Sequence, residues 1–437
     1  MKNMILLCLG IMLLSACKET KSLQPTQADA EYVHDAIKKL TDIIVVDIFS
    51  PPVASRVYVY PILAAYEAGK FAEPGAKSIT NQLHGFETMI SPEEGEEYDY
   101  TVAALSAFCT TAPKVIFSVK EIEGFEQQKL AQLKERVPEK TFTRSVEFGK
   151  KVAEVIIKRM SQDNYNETRG MPRFEIKAGI PERWVPTPPD YLDGLEPHWP
   201  KMKTMVMDSA GAIRAEAPTP YSEDPNSPFW KELMEVYELN KNITDEQQDI
   251  AIFWDCNPFV STQKGHLMLQ DKKMTPGGHW LAICQQFLTK ENVGFYNSLK
   301  AYALTSVALY EGFIGSWYEK YDIIRVRPET LISAKIDKEW HPYIQTPPFP
   351  AYTSAHSTIS AAAAEVLTAL FGDNQAYTDT SEQEYGLPVR SFTSFRQAAQ
   401  EVSISRVYGG IHFRSDCDAG NRHGTKIGQF VIDKIEF

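Results

Sequence analysis

Three short polar stretches near the end of the 437-residue chain gather residue types that together can hold an oxyanion and move protons around it. They are Lys320 followed after six residues by Arg327-Pro328, then Thr353-Ser354-Ala355-His356, then Ser405-Arg406 followed after five residues by His412 and after three more by Asp416. Arginine offers a planar fork that grips two oxygens of a phosphate-like anion, and lysine offers a compact point charge. Fixed cations, hydroxyls, two imidazoles and a carboxylate are the donors and proton carriers that a tetrahedral or trigonal-bipyramidal oxyanion requires.

The elements that must position these groups are helical. Lys320 and Arg327 lie near two helical turns apart, so both can face one side of a helix that stops at Pro328. Ser354 or Thr353 stands at the N-cap of an Ala- and Leu-rich helix running from Ser357 to Phe371 and ended by Gly372. The free backbone N–H groups of Ala355 and His356 would then point at the anion. His412 and Asp416 are spaced i, i+4, so one turn lets the carboxylate hold one ring nitrogen while the other faces the anion. Gly409-Gly410 breaks the preceding helix and permits close backbone approach.

This ordered set resembles the signature of the vanadium haloperoxidase and type 2 phosphatidic acid phosphatase superfamily. The first and third motifs match in full; the middle one matches at Ser354 and His356, with Thr353 where proline is usual and Ala355 where glycine is usual. The resemblance implies a helical-bundle catalytic core in which Lys320, Arg327, Ser354, Ala355 and Arg406 bind vanadate or phosphate. His412 would be the axial ligand of vanadium or, in a phosphatase, the phosphorylated nucleophile. Asp416 would orient His412, and His356 would be the acid/base. In the chloroperoxidase branch, aromatics three residues before the lysine and seven before the acid/base histidine line the halide region; those positions hold Trp317 and Phe349. Core packing is the competing reading of both rings.

The chain begins Met1-Lys2-Asn3, continues through an apolar run to Leu14, and reaches Leu14-Ser15-Ala16-Cys17. That pattern predicts a secretory signal over 1–17, and it resembles the bacterial lipobox, which makes Cys17 a lipidation site. Residues 18–28 suit a tether. The expected organisation is an N-terminal helical region over 29–200, including the start of a proline-rich wrapping connection, and a catalytic helical region over 201–437. Cys109, Cys256, Cys284 and Cys417 follow no zinc-ligand spacing, and an exported compartment permits disulfides without requiring them. The net charge of −12 argues against nucleic acid and against electrostatic binding to anionic lipid, so a cationic pocket in this chain is a local arrangement. After the leader there is no apolar run long enough to cross a bilayer. Membrane attachment would thus rest on the N-terminal lipid alone, with the protein on the periplasmic or cell-surface side of an outer membrane.

Helical periodicity recurs at 30–48, 55–69, 100–109, 122–136, 142–160, 229–239, 247–254, 279–288 and 292–318, and convincing strand alternation is nearly absent. The fold class is therefore all-α. The stretch 164–228 reads as an ordered connection, because its Trp184 and Trp199 would be costly to leave in water. His279, at a predicted helix start, is either a site residue or a structural one.

Two enzymes fit the pocket. One is a vanadium-dependent haloperoxidase that uses hydrogen peroxide to oxidise halide. The other is an exported acid phosphatase that hydrolyses small phosphate monoesters through a phosphohistidine, without vanadate. A lipoprotein that only binds an anion or glycan is a third reading, and it is disfavoured because a binding site needs no proton carrier.

Overall fold

In the computed structural model, residues 24–177, 179–258, 260–264, 267–270 and 273–436 are described. The predicted leader and Cys17 lie outside them. The first half contributes helices α1 (Ala30–Asp47), α2 (Pro51–Gly69), α3 (Tyr100–Thr111), α4 (Val119–Lys134), α5 (Glu139–Met160) and the short α6 (Tyr165–Arg169). The second half contributes α7 (Pro228–Lys241), α8 (Asp245–Phe253), α9 (Pro276–Lys290), α10 (Phe295–Ile323), α11 (Pro328–Lys335), α12 (Ala355–Phe371), α13 (Phe395–Tyr408) and α14 (Arg414–Lys434). Two small antiparallel hairpins interrupt them: β1 (Ser261–Lys264) with β2 (Leu267–Gln270), and β3 (Tyr377–Asp379) with β4 (Arg390–Phe392). The all-α expectation holds.

Several boundaries follow from proline and caps. Two helices meet at Pro51-Pro52 as expected, but the prolines open α2 four residues earlier than the expected start at 55, because proline's fixed φ and missing N–H suit the first turn. Thr244 and Gln247 form the capping box that starts α8, and Thr275 accepts from Gly278 N to start α9 at Pro276. α10 is 29 residues long, about 44 Å at 1.5 Å per residue. It is buried nearly all round, which makes it the axis of the body.

α10 packs on α2 on one side, where Gly69 admits Leu299 and Phe295, and on α12 on the other, where Gly312 meets Ile359. One apolar core runs from Val33 to Ile435 and so crosses from the first region into the second. The connection over 164–228 is irregular yet ordered, with Trp184 and Trp199 buried. It is tied to α10 by Glu311, whose carboxylate accepts from the backbone N–H groups of Met205, Val206 and Met207. Among the described residues, no helix is long and apolar enough to cross a membrane. Cys109, Cys256, Cys284 and Cys417 are all buried free thiols.

Candidate active site

A close approach of two helices, α12 and α14, builds the pocket. Gly420, Gly424 and Gly428 form a stripe along α14 against α12. A Cβ at Gly420 would stand 2.7 Å from Ser354 O, one at Gly428 would stand 2.7 Å from Ala362 O, and one at Gly424 would run into Thr358 O. With hydrogens there instead, the start of α14 lies on the start of α12, and Ser354 N donates to Asp416 O at 3.0 Å. Ser354 is the N-cap of α12, its hydroxyl accepting from Ser357 N at 3.3 Å and from Ser357 Oγ at 2.9 Å.

Lys320 sits in the last turn of α10, fully buried, and donates to the carbonyls of Pro350, Ala351 and Thr353 at 2.9, 3.1 and 2.6 Å. Arg327 does not share that helix. α10 stops at Ile323, Ile324 turns left-handed with φ 58°, and Arg327 becomes the N-cap of α11. Pro328 thus opens a helix where the sequence suggested a stop. The turn still returns Arg327 to the pocket, where Nε donates to Phe349 O at 2.9 Å and Nη1 to Ile411 O at 2.8 Å.

Nor do His412 and Asp416 share a helical turn as expected, since α14 starts at Arg414 with Phe413 as N-cap. The pairing survives because Asp416, in the first turn, reaches back: Oδ2 lies 3.1 Å from His412 Nδ1 and accepts from Phe413 N at 3.2 Å. This bond places the proton on Nδ1 and leaves the lone pair on Nε2, 3.0 Å from Arg327 Nη1. Arg406, near the end of α13, donates through Nη1 to Trp254 O at 2.8 Å and holds Nη2 3.6 Å from Asp255 Oδ1.

The structure also supplies partners that the motifs did not reveal. Arg325 Nη1 donates to the second oxygen of Asp416 at 2.5 Å and to Ser415 Oγ at 3.0 Å, while Nη2 reaches Glu232 Oε2 at 3.3 Å. Asp255 is shared between Arg406 and Lys273. Trp317 and Phe349 stand together with ring centroids 5.1 Å apart, and Lys320 Nζ lies 5.8 and 4.9 Å from them. Both rings are buried, so they are core residues that also wall Lys320. Ala355 is buried in the first turn of α12, and next to it His356 is partly buried.

Cations dominate this pocket. Asp416 is already committed to Arg325 and Asp255 to Lys273, while Lys320 and Arg327 have only carbonyl and imidazole partners among the described residues. Burial, then Arg327, push the Lys320 ammonium well below the usual lysine range. Burial followed by the nearby cations pushes both His412 and His356 well below the usual imidazole range, which keeps them neutral. Among the described residues, Arg327 Nη2, Arg406 Nε and His356 Nε2 are buried without a hydrogen-bond partner, and Arg406 Nη2 has only its 3.6 Å ion pair with Asp255. The arginine N–H groups among these are costly to bury unless an acceptor meets them. A multiply charged oxyanion supplies both the acceptors and the charge, so these residues fit vanadate.

Comparison with known proteins agrees with this chemistry. Residues 300–437 match the model of the second helical-bundle domain of vanadium chloroperoxidase. A crystal structure described as the first bacterial vanadium-dependent iodoperoxidase is 43% identical, covers 93% of this chain and 97% of its own, and superposes with a TM-score of 0.88. Holo and apo bacterial vanadium-dependent chloroperoxidases, at 15% and 16% identity, share the fold with TM-scores of 0.65; the alignments cover 94% and 89% of this chain and 96% and 95% of theirs. A search among curated proteins gave no match. The chain belongs to the vanadium haloperoxidase superfamily.

Proposed function

We propose that this protein is a vanadium-dependent haloperoxidase that oxidises halide with hydrogen peroxide, iodide foremost. The observation that carries this reading is the 43% identity, over 93% of the chain, to an iodoperoxidase. It does not favour the phosphomonoesterase alternative. Vanadate is the implied cofactor, held by Lys320, Arg327, Ser354, Ala355 N–H and Arg406, with His412 Nε2 as its protein ligand. When bound, it supplies a Lewis-acidic centre that activates peroxide oxygen toward halide.

The chain's own groups do the rest. Arg327 Nη2 and Arg406 Nε, which have no hydrogen-bond partner among the described residues, belong to guanidinium groups already held by carbonyl bonds and can meet negative charge with little reorganisation. Lys320 is fixed by three carbonyls and offers its charge from one direction. Neutral His356 accepts a proton from hydrogen peroxide and returns one when water forms, in keeping with its partly buried position. The overall reaction consumes one peroxide, one halide and one proton and gives hypohalous acid and water. Trp317 and Phe349 keep bulk water from the Lys320 side.

The test is purified protein assayed with and without vanadate for peroxide-dependent iodide and bromide oxidation and for hydrolysis of simple phosphate esters. Vanadate should raise iodide oxidation from a negligible level. Ester hydrolysis without vanadate, and no vanadate-dependent oxidation, would refute the assignment.

Export and anchoring form a second part of the proposal, supported by the Leu14-Ser15-Ala16-Cys17 pattern. Lipidated Cys17 would tether an enzyme facing the periplasm or the cell exterior to the outer membrane. Cys17→Ser should release the protein from the membrane fraction, and retention after a salt wash would contradict the anchor.

A further inference from the structure

Behind Arg406 lies a second cluster that the oxyanion pocket does not use. Cys256 follows Asp255 in the loop after α8, His279 sits in the first turn of α9, and Glu382 lies in the turn after β3. All are buried. Cys256 Sγ is 3.3 Å from His279 Nδ1, Glu382 Oε1 is 3.4 Å from the same nitrogen, and the three ligand atoms lie within 4.8 Å of one another. On the far side of the ring, His279 Nε2 meets Asp379 Oδ2 at 2.7 Å. The indole of Trp254 stacks on the imidazole at 4.6 Å.

We propose that Cys256, His279 and Glu382 bind a zinc ion, with Asp379 orienting the histidine. Tetrahedral zinc has bonds of about 2.3 Å to sulfur and about 2.0–2.1 Å to nitrogen and carboxylate oxygen, which set S···N near about 3.6 Å and N···O near about 3.3 Å. The observed 3.3 and 3.4 Å are within a few tenths of an ångström of both. With Nε2–H given to Asp379, the Nδ1 lone pair points at the other two ligands, the carboxylate–histidine–metal arrangement in which the outer carboxylate fixes the tautomer.

Among the described residues, a neutral His279 does not complete this cluster. The Nδ1 of a neutral ring cannot both accept from the thiol and donate to the carboxylate. Burial disfavours the charged ring, but Asp379 and Cys256 raise its pKa well above the usual imidazole range, and even then Glu382 Oε1 gains only a 3.4 Å ion pair and no hydrogen bond among the described residues. A divalent cation meets all three ligands at once, and its charge is balanced by one thiolate and one carboxylate. Three protein ligands leave a fourth position for water. The ion would pin together three segments distant in sequence. One is Trp254–Cys256, which carries both partners of Arg406: the Trp254 carbonyl and the Asp255 carboxylate.

The test is metal analysis of vanadate-loaded enzyme produced with zinc and passed over a chelating resin. About one zinc per chain is expected, counted separately from vanadium. Enzyme produced with cobalt(II) instead should show a sulfur-to-cobalt charge-transfer band that Cys256→Ser removes. Glu382→Gln and Asp379→Asn should each weaken zinc binding, the latter by roughly 10–100-fold. Wild-type enzyme with less than one-tenth of an equivalent of zinc and no cobalt–thiolate band would overturn the proposal. Full zinc occupancy unchanged in both Cys256→Ser and Glu382→Gln would overturn it too, by placing the ion elsewhere. The wild-type measurements decide even if a variant fails to fold.

Discussion

Replacing Asp416 by Asn separates the role of His412 as ligand from its orientation. The carboxylate accepts three bonds, from His412 Nδ1 at 3.1 Å and Phe413 N at 3.2 Å on one oxygen and from Arg325 at 2.5 Å on the other. An amide has one acceptor oxygen, so one side must now present N–H groups. If the oxygen keeps His412, the amide nitrogen faces Arg325, donor against donor. Arg325 keeps Ser415 and Glu232, and the lost charge-assisted bond costs folding about 1.5–3 kcal/mol. His412 then keeps its lone pair on Nε2, and vanadate affinity should fall by roughly 10–100-fold, or about 1.4–2.7 kcal/mol. If the amide turns the other way, His412 Nδ1 meets a donor, its proton moves to Nε2, and the ligand atom is lost. His412 and Phe413 together favour the first orientation more than Arg325 favours the second, since two bonds hold the oxygen on their side and Arg325 has other acceptors. The assay is titration of vanadate into metal-free Asp416→Asn enzyme, followed by iodide oxidation, with thermal unfolding measured in parallel. Wild-type vanadate affinity in a folded variant would refute the orienting role.

Three further outcomes follow from the same geometry. His412→Ala should abolish vanadate-dependent turnover while Arg327 keeps its carbonyl partners and the fold; full activity would sink the ligand assignment. Phosphate should slow the gain on vanadate addition, because both anions seek Lys320, Arg327 and Arg406, and raising vanadate should reverse the inhibition; phosphate-insensitive loading would contradict a shared pocket. Lys320 has a depressed pKa in the free site, and a bound oxyanion raises it, so binding takes up a proton and phosphate affinity should fall as pH rises through the free-site value. Calorimetry in buffers of different ionisation enthalpy reads that uptake, and Lys320→Met should lack it.

What the sequence disclosed is uneven for a physical reason. Lys320, Arg327, Ser354, His356, Arg406, His412 and Asp416 were legible because oxyanion chemistry needs those types and the chain carries them in short ordered runs. The backbone between them was less so. Proline ends one helix and starts another equally well, and only the left-handed turn at Ile324 decides that Pro328 starts one. Arg325, Glu232 and Asp255 were missed because their meaning lies in partners far along the chain: Glu232 is 93 residues from Arg325. Trp317 and Phe349 were open between core and halide wall; both are buried core rings that stand beside Lys320. The Gly420, Gly424, Gly428 spacing was present in the sequence as a stripe at i, i+4 and i+8, but a small-residue stripe alone does not say which helix fills it.

That stripe joins fold and chemistry more closely than any motif does. Oxyanion contacts must be set within a fraction of an ångström to be useful, and loops rarely hold such tolerances. Here His412 and Asp416, the proposed ligand and its orienting partner, sit at the start of α14, and Ser354, the cap of the turn proposed to face the anion, sits at the start of α12. The distance between them is set by backbone meeting backbone along three glycines and is closed by the Ser354 N–H bond to Asp416 O. A methyl group at Gly420 would press on Ser354 O itself, so a change with no charge and no reach into the pocket would still move the proposed ligand histidine relative to the cap. Close-packed interiors transmit such displacements instead of absorbing them. Ala355 shows the complementary tolerance: its methyl group is buried in the first turn of α12, and the cap bond from Ser357 N to Ser354 Oγ is kept beside it. The pocket can therefore accept a side chain where the family usually has glycine, but not at the glycines that bring its two helices together.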